Sequence, residues 1–336
     1  MYIRAMVPTL KKGKKMKKEK RDIPQEQTDN LIKLLETANP NDFVLPWHNQ
    51  ANKGMPKNSL TKKTYSGQNT IALWVAQEIN QYPSNLWATY NQWFELGGGI
   101  KEKVKGKWQI IQKSKYNVRK GEKCSHISVP IPCNFDKEMD NVKTGETEIV
   151  HVSFTKFRTA QVFNAAQIEG FEIPETKKAN LAESVKKADM FFGNLGIEKR
   201  EQSGRAYYSH THDYYSLPPM DEFINTKTSN ATETYYSTES HEVIHATGHA
   251  KRLGRAFKSE KQSYAFEELV AECGAAFLCA HLEISSETRV DHAQYLAHWI
   301  AILKKDKTAI QRAASLASKA YQWTLDQQHT ETKMVA

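Results

Sequence analysis

His241-Glu242-Val243-Ile244-His245 sets two imidazoles four residues apart. On an α-helix that spacing is about one turn along one face, so both rings can reach one ion. Glu242 projects near the same place and can act on a water held by that ion. The H-E-x-x-H spacing on a helix is a signature of zinc hydrolases. A catalytic zinc takes three protein ligands plus water, so a third donor has to come from elsewhere.

Three candidates exist. His249 lies one turn further on, but at or beyond Gly248, where the helix should stop. The metzincin pattern needs a histidine six residues after the second one, and Lys251 stands there. The third candidate is a second helix over 264–282, whose apolar arc of Phe266, Leu269, Val270, Cys273 and Phe277 predicts near-complete burial. It nevertheless carries Glu267, Glu268 and Glu272, and buried carboxylates are costly unless paired or bound to metal. Glu268 is the economical third ligand. Glu272, one turn on, would accept a hydrogen bond from a ligand imidazole. Glu267, about 100° around the helix from Glu268, is the alternative ligand. The competing reading pairs these glutamates with Arg252, Arg255 or Lys258. The small neighbours Ala265, Ala275 and Cys279 would let another helix come close. The pattern resembles the second helix of gluzincins, which carries E-x-x-x-D/E. With zinc bound, Glu242 would take the proton of a metal-bound water and return it to a leaving amine.

The motif has to sit on a helix starting near Asn230 or Thr232, with Glu233 in its first turn. Ala206–Leu217 reads as a strand or hairpin that could offer an edge to an extended peptide. It holds His210 and His212, expected to be exposed rather than ligands. A helix is expected over 181–195, and two more after Asp291, with Leu296, Trp299, Ile300 and Leu303 as a packing stripe.

The first half has a different character. Net charge is +9, but residues 1–150 carry 25 Lys/Arg against 15 Asp/Glu, whereas residues 151–336 carry 22 against 23. The basic excess points to a polyanionic partner for the N-terminal half. Helices are expected over 25–37, 69–81 and 89–96, strands over 107–112, 126–131 and 148–157, and a loop over 43–67. Residues 51–130 hold 13 Lys/Arg and 4 Asp/Glu, interleaved with Tyr65, Trp74, Trp87, Tyr90, Trp93, Trp108 and Tyr116. Lysines neutralise phosphates and flat rings stack unpaired bases, which favours single strands. Trp74 and Trp108 are assigned to the core. Gly97-Gly98-Gly99 is a chain break, not a nucleotide loop.

The four cysteines show no C-x-x-C spacing and suggest a reducing compartment. No apolar run reaches the roughly 20 residues needed to span a bilayer. The lysine-rich residues 1–22 read as a disordered tail without a secretory apolar segment, and Met16 is an alternative start to Met1. A cytoplasmic protein is expected.

Several segments together resemble the ArdC family of antirestriction proteins. In the N-terminal half they are Asn58 through Asn69, Trp87 through Trp93, Val118 through Lys123 and Val162 through Gly170. In the C-terminal half they are Tyr235 through His249, Arg252-Leu253 and Tyr264 through Glu272. Ala246 stands where the family often has Trp, and 97–117 reads as an insertion or divergent loop. The resemblance implies an α+β chain of two domains. A mixed α/β single-stranded-DNA-binding domain would span 23–170, and a zincin-like metallopeptidase domain 181–328, with 171–180 as linker. It implies protection of incoming plasmid DNA from host restriction. Candidate DNA contacts are Lys57, Asn58, Lys62, Lys63, Tyr65, Asn69, Trp93, Arg119, Lys120 and Lys123. Zn2+ is the expected cofactor, with Mn2+ or another divalent ion as alternatives. The expected partners are single-stranded DNA and a protein substrate such as a host restriction factor. The positive charge excludes DNA mimicry, which needs a strongly acidic surface.

Overall fold

The computed structural model describes residues 22–37, 45–51, 53–140, 147–175, 180–226, 229–255, 261–285 and 296–328. Residues 1–21 of the basic tail, Lys177, Lys178 and Lys258 lie outside them. The N-terminal part runs α1 (Ile23–Thr37), α2 (Pro46–Ala51), β1 (Lys57–Asn58), α3 (Gln68–Asn80), β2 (Leu86–Ala88) and α4 (Tyr90–Leu96). It continues with β3 (Ile100–Val104), β4 (Lys107–Gln112), β5 (Asn117–Val118), β6 (Ser125–Asp140), β7 (Thr147–Asn164) and β8 (Ile168–Glu169). The C-terminal part holds α5 (Leu181–Gly193), β9 (Glu198–Glu201), β10 (Tyr207–Ser209), β11 (Tyr214–Leu217), α6 (Ala231–Thr247), α7 (Lys261–Leu282), α8 (Leu296–Lys305) and α9 (Ala309–Gln327). The α+β class is as expected from the sequence, and among the described residues no helix is long and apolar enough to cross a membrane.

One mixed sheet has the order β1-β2-β7-β6, with β1 and β2 parallel and the other neighbours antiparallel. The β6–β7 hairpin is longer than the alternation of its residues suggests. Its base is buried through Ile127 and Val162, while Phe135, Ile149 and Phe157 are exposed along the outer ribbon. A second sheet, β10-β11-β9, flanks α6. His210 and His212 are exposed in the turn between β10 and β11, as expected.

The main core does not respect the sequence boundary between the two halves. Leu31 and Leu35 of α1, Trp47 of α2 and Trp74 of α3 join one buried cluster with Val270, Phe277, Trp299 and Ala313 from the C-terminal helices. Trp74 and Phe277 meet at 5.7 Å between ring centroids. This packing explains a departure from the expected loop over 43–67. Pro46 suits a first helical position, and burial of Trp47 holds one and a half turns of α2 against α7. Trp108 departs the other way: assigned to the core, it stands 71% exposed on β4. A two-stranded hairpin has no second layer to cover it. Phe171, at the start of the expected linker, packs edge-on against Trp93 at 5.0 Å.

Candidate metal centre

The helix that carries the histidines is fixed at both ends by its own sequence. The Asn230 side chain accepts from the Glu233 backbone N–H and the Glu233 carboxylate accepts from the Asn230 N–H, a reciprocal cap. Gly248 closes the C-terminal end. Helix α7 then crosses α6 at very short range. A Cβ on Gly274 would stand 2.7 Å from Ile244 Cγ1, so only glycine permits this approach. Cys279 lies on Ser240 in the same seam, its Sγ 3.7 Å from the hydroxyl.

The approach brings His241, His245 and Glu268 together, with one potential ligand atom from each inside 4.8 Å of the others. The two Nε2 atoms are 3.0 Å apart. Glu268 presents Oε2 to His241 Nε2 at 3.4 Å and Oε1 to His245 Nε2 at 3.5 Å. Ligands about 2.0–2.1 Å from a tetrahedral ion stand about 3.3 Å from one another, so these separations fit a divalent ion. The outer nitrogens are oriented as well. His241 Nδ1 faces Glu272 Oε1 at 3.5 Å, and His245 Nδ1 faces Glu267 Oε1 at 3.4 Å. Carboxylates behind imidazoles hold the rings so that Nε2 points inward.

Glu267 therefore stands behind His245 rather than inside the three-donor group. It also pairs with Arg255, 2.7 Å from Nη2, while Arg255 donates to the Ile244 carbonyl at 2.6 Å and to the Thr247 hydroxyl at 2.8 Å. The reading that pairs a glutamate with Arg255 is thus realised at Glu267. Arg252 instead binds Asp213 and donates to the Ala246 carbonyl. His249 faces Asp213 at 3.4 Å, away from the three donors.

The electrostatics suit a cation. Burial disfavours a charged His245, but Glu268 and Glu267 outweigh it and push the imidazole up to about 10. Burial raises Glu268, yet His245 and His241 hold its carboxyl well below the usual range. His241, His245 and Glu268 are only 3%, 6% and 3% exposed. Glu242, next to His241 on α6, is buried too.

Sequence reasoning missed one residue here. His48 of α2 contacts Glu272 through Nε2 and Oε2. The N-terminal half thereby supplies a buried side chain two steps from the proposed ligands. No local spacing signals a contact between residues 224 positions apart.

The expected DNA contacts separate into two kinds. Lys57, Lys62, Lys63, Lys120 and Lys123 are exposed, and so is Arg119 although it is paired. The others are engaged within the fold. Trp93 is 0% exposed and donates from Nε1 to the Phe163 carbonyl at 3.0 Å, so its ring cannot stack a base. Asn58 accepts from the Leu60 and Thr61 N–H groups and donates to Gln92 Oε1 and the half-buried Tyr65 hydroxyl. Asn69 clamps the Ser128 backbone with both ends of its amide, each at 2.8 Å. Arg119 binds Glu122 and the Ala166 carbonyl.

An H-E-x-x-H helix crossed by a second helix that supplies a carboxylate defines a zincin-like domain, here joined to an N-terminal domain of helices and strands. Residues 186–316 match the zincin-like metallopeptidase family, and residues 21–163 match the N-terminal domain of anti-restriction factor ArdC. The chain belongs to the ArdC family of antirestriction proteins. The metal-free crystal structure of ArdC from plasmid R388 is 31% identical with a TM-score of 0.66, covering 91% of this chain and 98% of that one. Its Mn(II)-bound structure is 30% identical with a TM-score of 0.67, covering 92% and 99%. The uncharacterized protein y4eC of Sinorhizobium fredii (strain NBRC 101917 / NGR234) is 32% identical over 311 residues, covering 91% of this chain and 92% of that protein. DNA primase TraC of Escherichia coli is 30% identical over 319 residues, which span 92% of this chain but 28% of the primase.

Proposed function

We propose that this protein binds single-stranded DNA through its N-terminal half and holds a divalent metal at His241, His245 and Glu268, protecting incoming plasmid DNA from host restriction. The observation that carries the metal reading is the convergence of two imidazoles and one carboxylate, each imidazole with a further carboxylate behind it. Mn(II) in the related R388 structure supports a divalent ion, with Zn2+ the form expected from the ligand set. Such an ion, when bound, supplies a Lewis acid and an acidified water. Glu242 is then the base that takes a proton and delivers it to a leaving amine, with a host restriction factor as the protein substrate.

The burial of all three donors favours a second reading, in which the metal holds α6 to α7 and the protein acts by coating single strands. A catalytic ion needs an open position, and 3–6% exposure offers little access. Glu242→Gln separates the two, because it removes the base and keeps every proposed ligand. Loss of antirestriction with full metal content supports catalysis. Retention of both supports the structural metal.

A further inference from the structure

We propose that the β3–β4 hairpin, α4 and the Lys62–Lys63 turn form one continuous track for a single-stranded nucleic acid, with Trp108 as its stacking residue. This rests on the reading that the N-terminal half binds single strands, and it places the surface where the sequence showed only a divergent insertion.

The hairpin turns on Lys105 and Gly106, both at positive φ (49° and 81°), the two-residue geometry that matches strand twist. Pairing is antiparallel, with Lys103 opposite Trp108 and Lys101 opposite Ile110. Residues directly opposite share a face, as do residues two apart along a strand. Lys101, Lys103, Trp108 and Ile110 therefore lie on one face, and Trp108 is 71% exposed there. Tryptophan is rarely left so open without a partner to cover it. Residues 100–116 contain six lysines and one glutamate, so the complement is an anion.

Side-chain contacts join the pieces of the track. The Lys101 ammonium lies 5.3 Å from the Tyr90 ring centroid and 4.4 Å from that of Phe94, and it donates to Asn91 Oδ1 at 2.9 Å. Tyr90 is itself 48% exposed at the start of α4. Two residues on, Gln92 accepts from Asn58, whose side-chain oxygen caps the turn carrying Lys62 and Lys63. Rings open to solvent between ammonium groups suit unpaired bases on a phosphate chain. Duplex bases stack on one another and offer no free face. The lysine density sets this surface apart from an apolar protein-docking face.

The test uses the full-length protein and a fluorescent oligothymidylate of about 16 nucleotides, read by anisotropy at low salt. Trp108→Ala is expected to weaken binding about tenfold, and Trp108→Phe to restore most of it. Lys103→Ala with Lys105→Ala should reduce the slope of log affinity against log salt by about 1.4, two contacts at about 0.7 each on a single strand. Metal content and thermal midpoint should stay at wild type, since these side chains leave the core. Unchanged affinity in Trp108→Ala, with wild-type binding intact, overturns the track but leaves single-strand binding standing. Equal affinity for a duplex of the same length overturns stacking. A wild-type protein with no single-strand affinity overturns the underlying reading itself.

Discussion

His48 and Glu272 are in direct contact, although one lies in a short N-terminal helix and the other in the buried helix that completes the candidate metal centre. Glu272 in turn faces the outer nitrogen of His241. A chain of three side chains thus runs from the N-terminal half to a proposed ligand. His48→Ala should lower metal affinity by up to about tenfold, the low end of the effect of losing support behind a ligating histidine, because His48 acts on His241 only through Glu272. His48→Gln, which retains a donor, should recover part of it. A competitive chelator titration decides the matter, and wild-type affinity in the alanine variant would show that Glu272 is held without His48.

Metal binding should release protons, because both imidazoles must be neutral to ligate. In the metal-free protein His245 is pushed up to about 10. Affinity should therefore rise by about tenfold per pH unit from neutrality towards pH 10 and level off above it. The stability of the metal-free form runs the opposite way. A histidine raised above its unfolded value of about 6.5 contributes stability that is complete below that value and lost as pH climbs to about 10. Thermal melts with and without metal across pH 6–10 measure both trends.

Gly274→Ala tests the helix crossing. The added methyl would meet the Ile244 side chain at 2.7 Å, in a seam with no spare room. Overpacking of this kind costs about 1–3 kcal/mol. Because the seam sets the distance from Glu268 to both histidines, metal content should fall together with the melting temperature. A variant that melts earlier but binds metal normally would separate the crossing from the site.

Trp93→Ala should act on stability rather than on DNA contact. The ring is fully buried against Ala165 and Ile168, and its indole N–H is satisfied by Phe163. Truncating a buried tryptophan costs about 3–5 kcal/mol. Urea unfolding should show that loss, while any remaining folded protein binds single strands with near-normal affinity.

Much of the metal centre was legible in the chain. A four-residue spacing fixes two imidazoles on one helical face, a cap and a glycine mark the helix ends, and glutamates on an otherwise apolar helix call for a partner. Those are local consequences of helical geometry and of the cost of burying charge. Tertiary structure decided the rest. It chose Glu268 to face both histidines and put Glu267 and Glu272 behind them, because the Gly274–Ile244 contact sets the rotation and distance of one helix against the other. It placed His48 beside Glu272 through a core shared by both halves, a contact with no sequence period. It also reversed the expected burial of two tryptophans. Trp93 is enclosed by strands far along the chain, whereas Trp108 sits on a hairpin with no covering layer. Aromatic composition and charge are the same for both outcomes, so only packing could tell a buried ring from an exposed one.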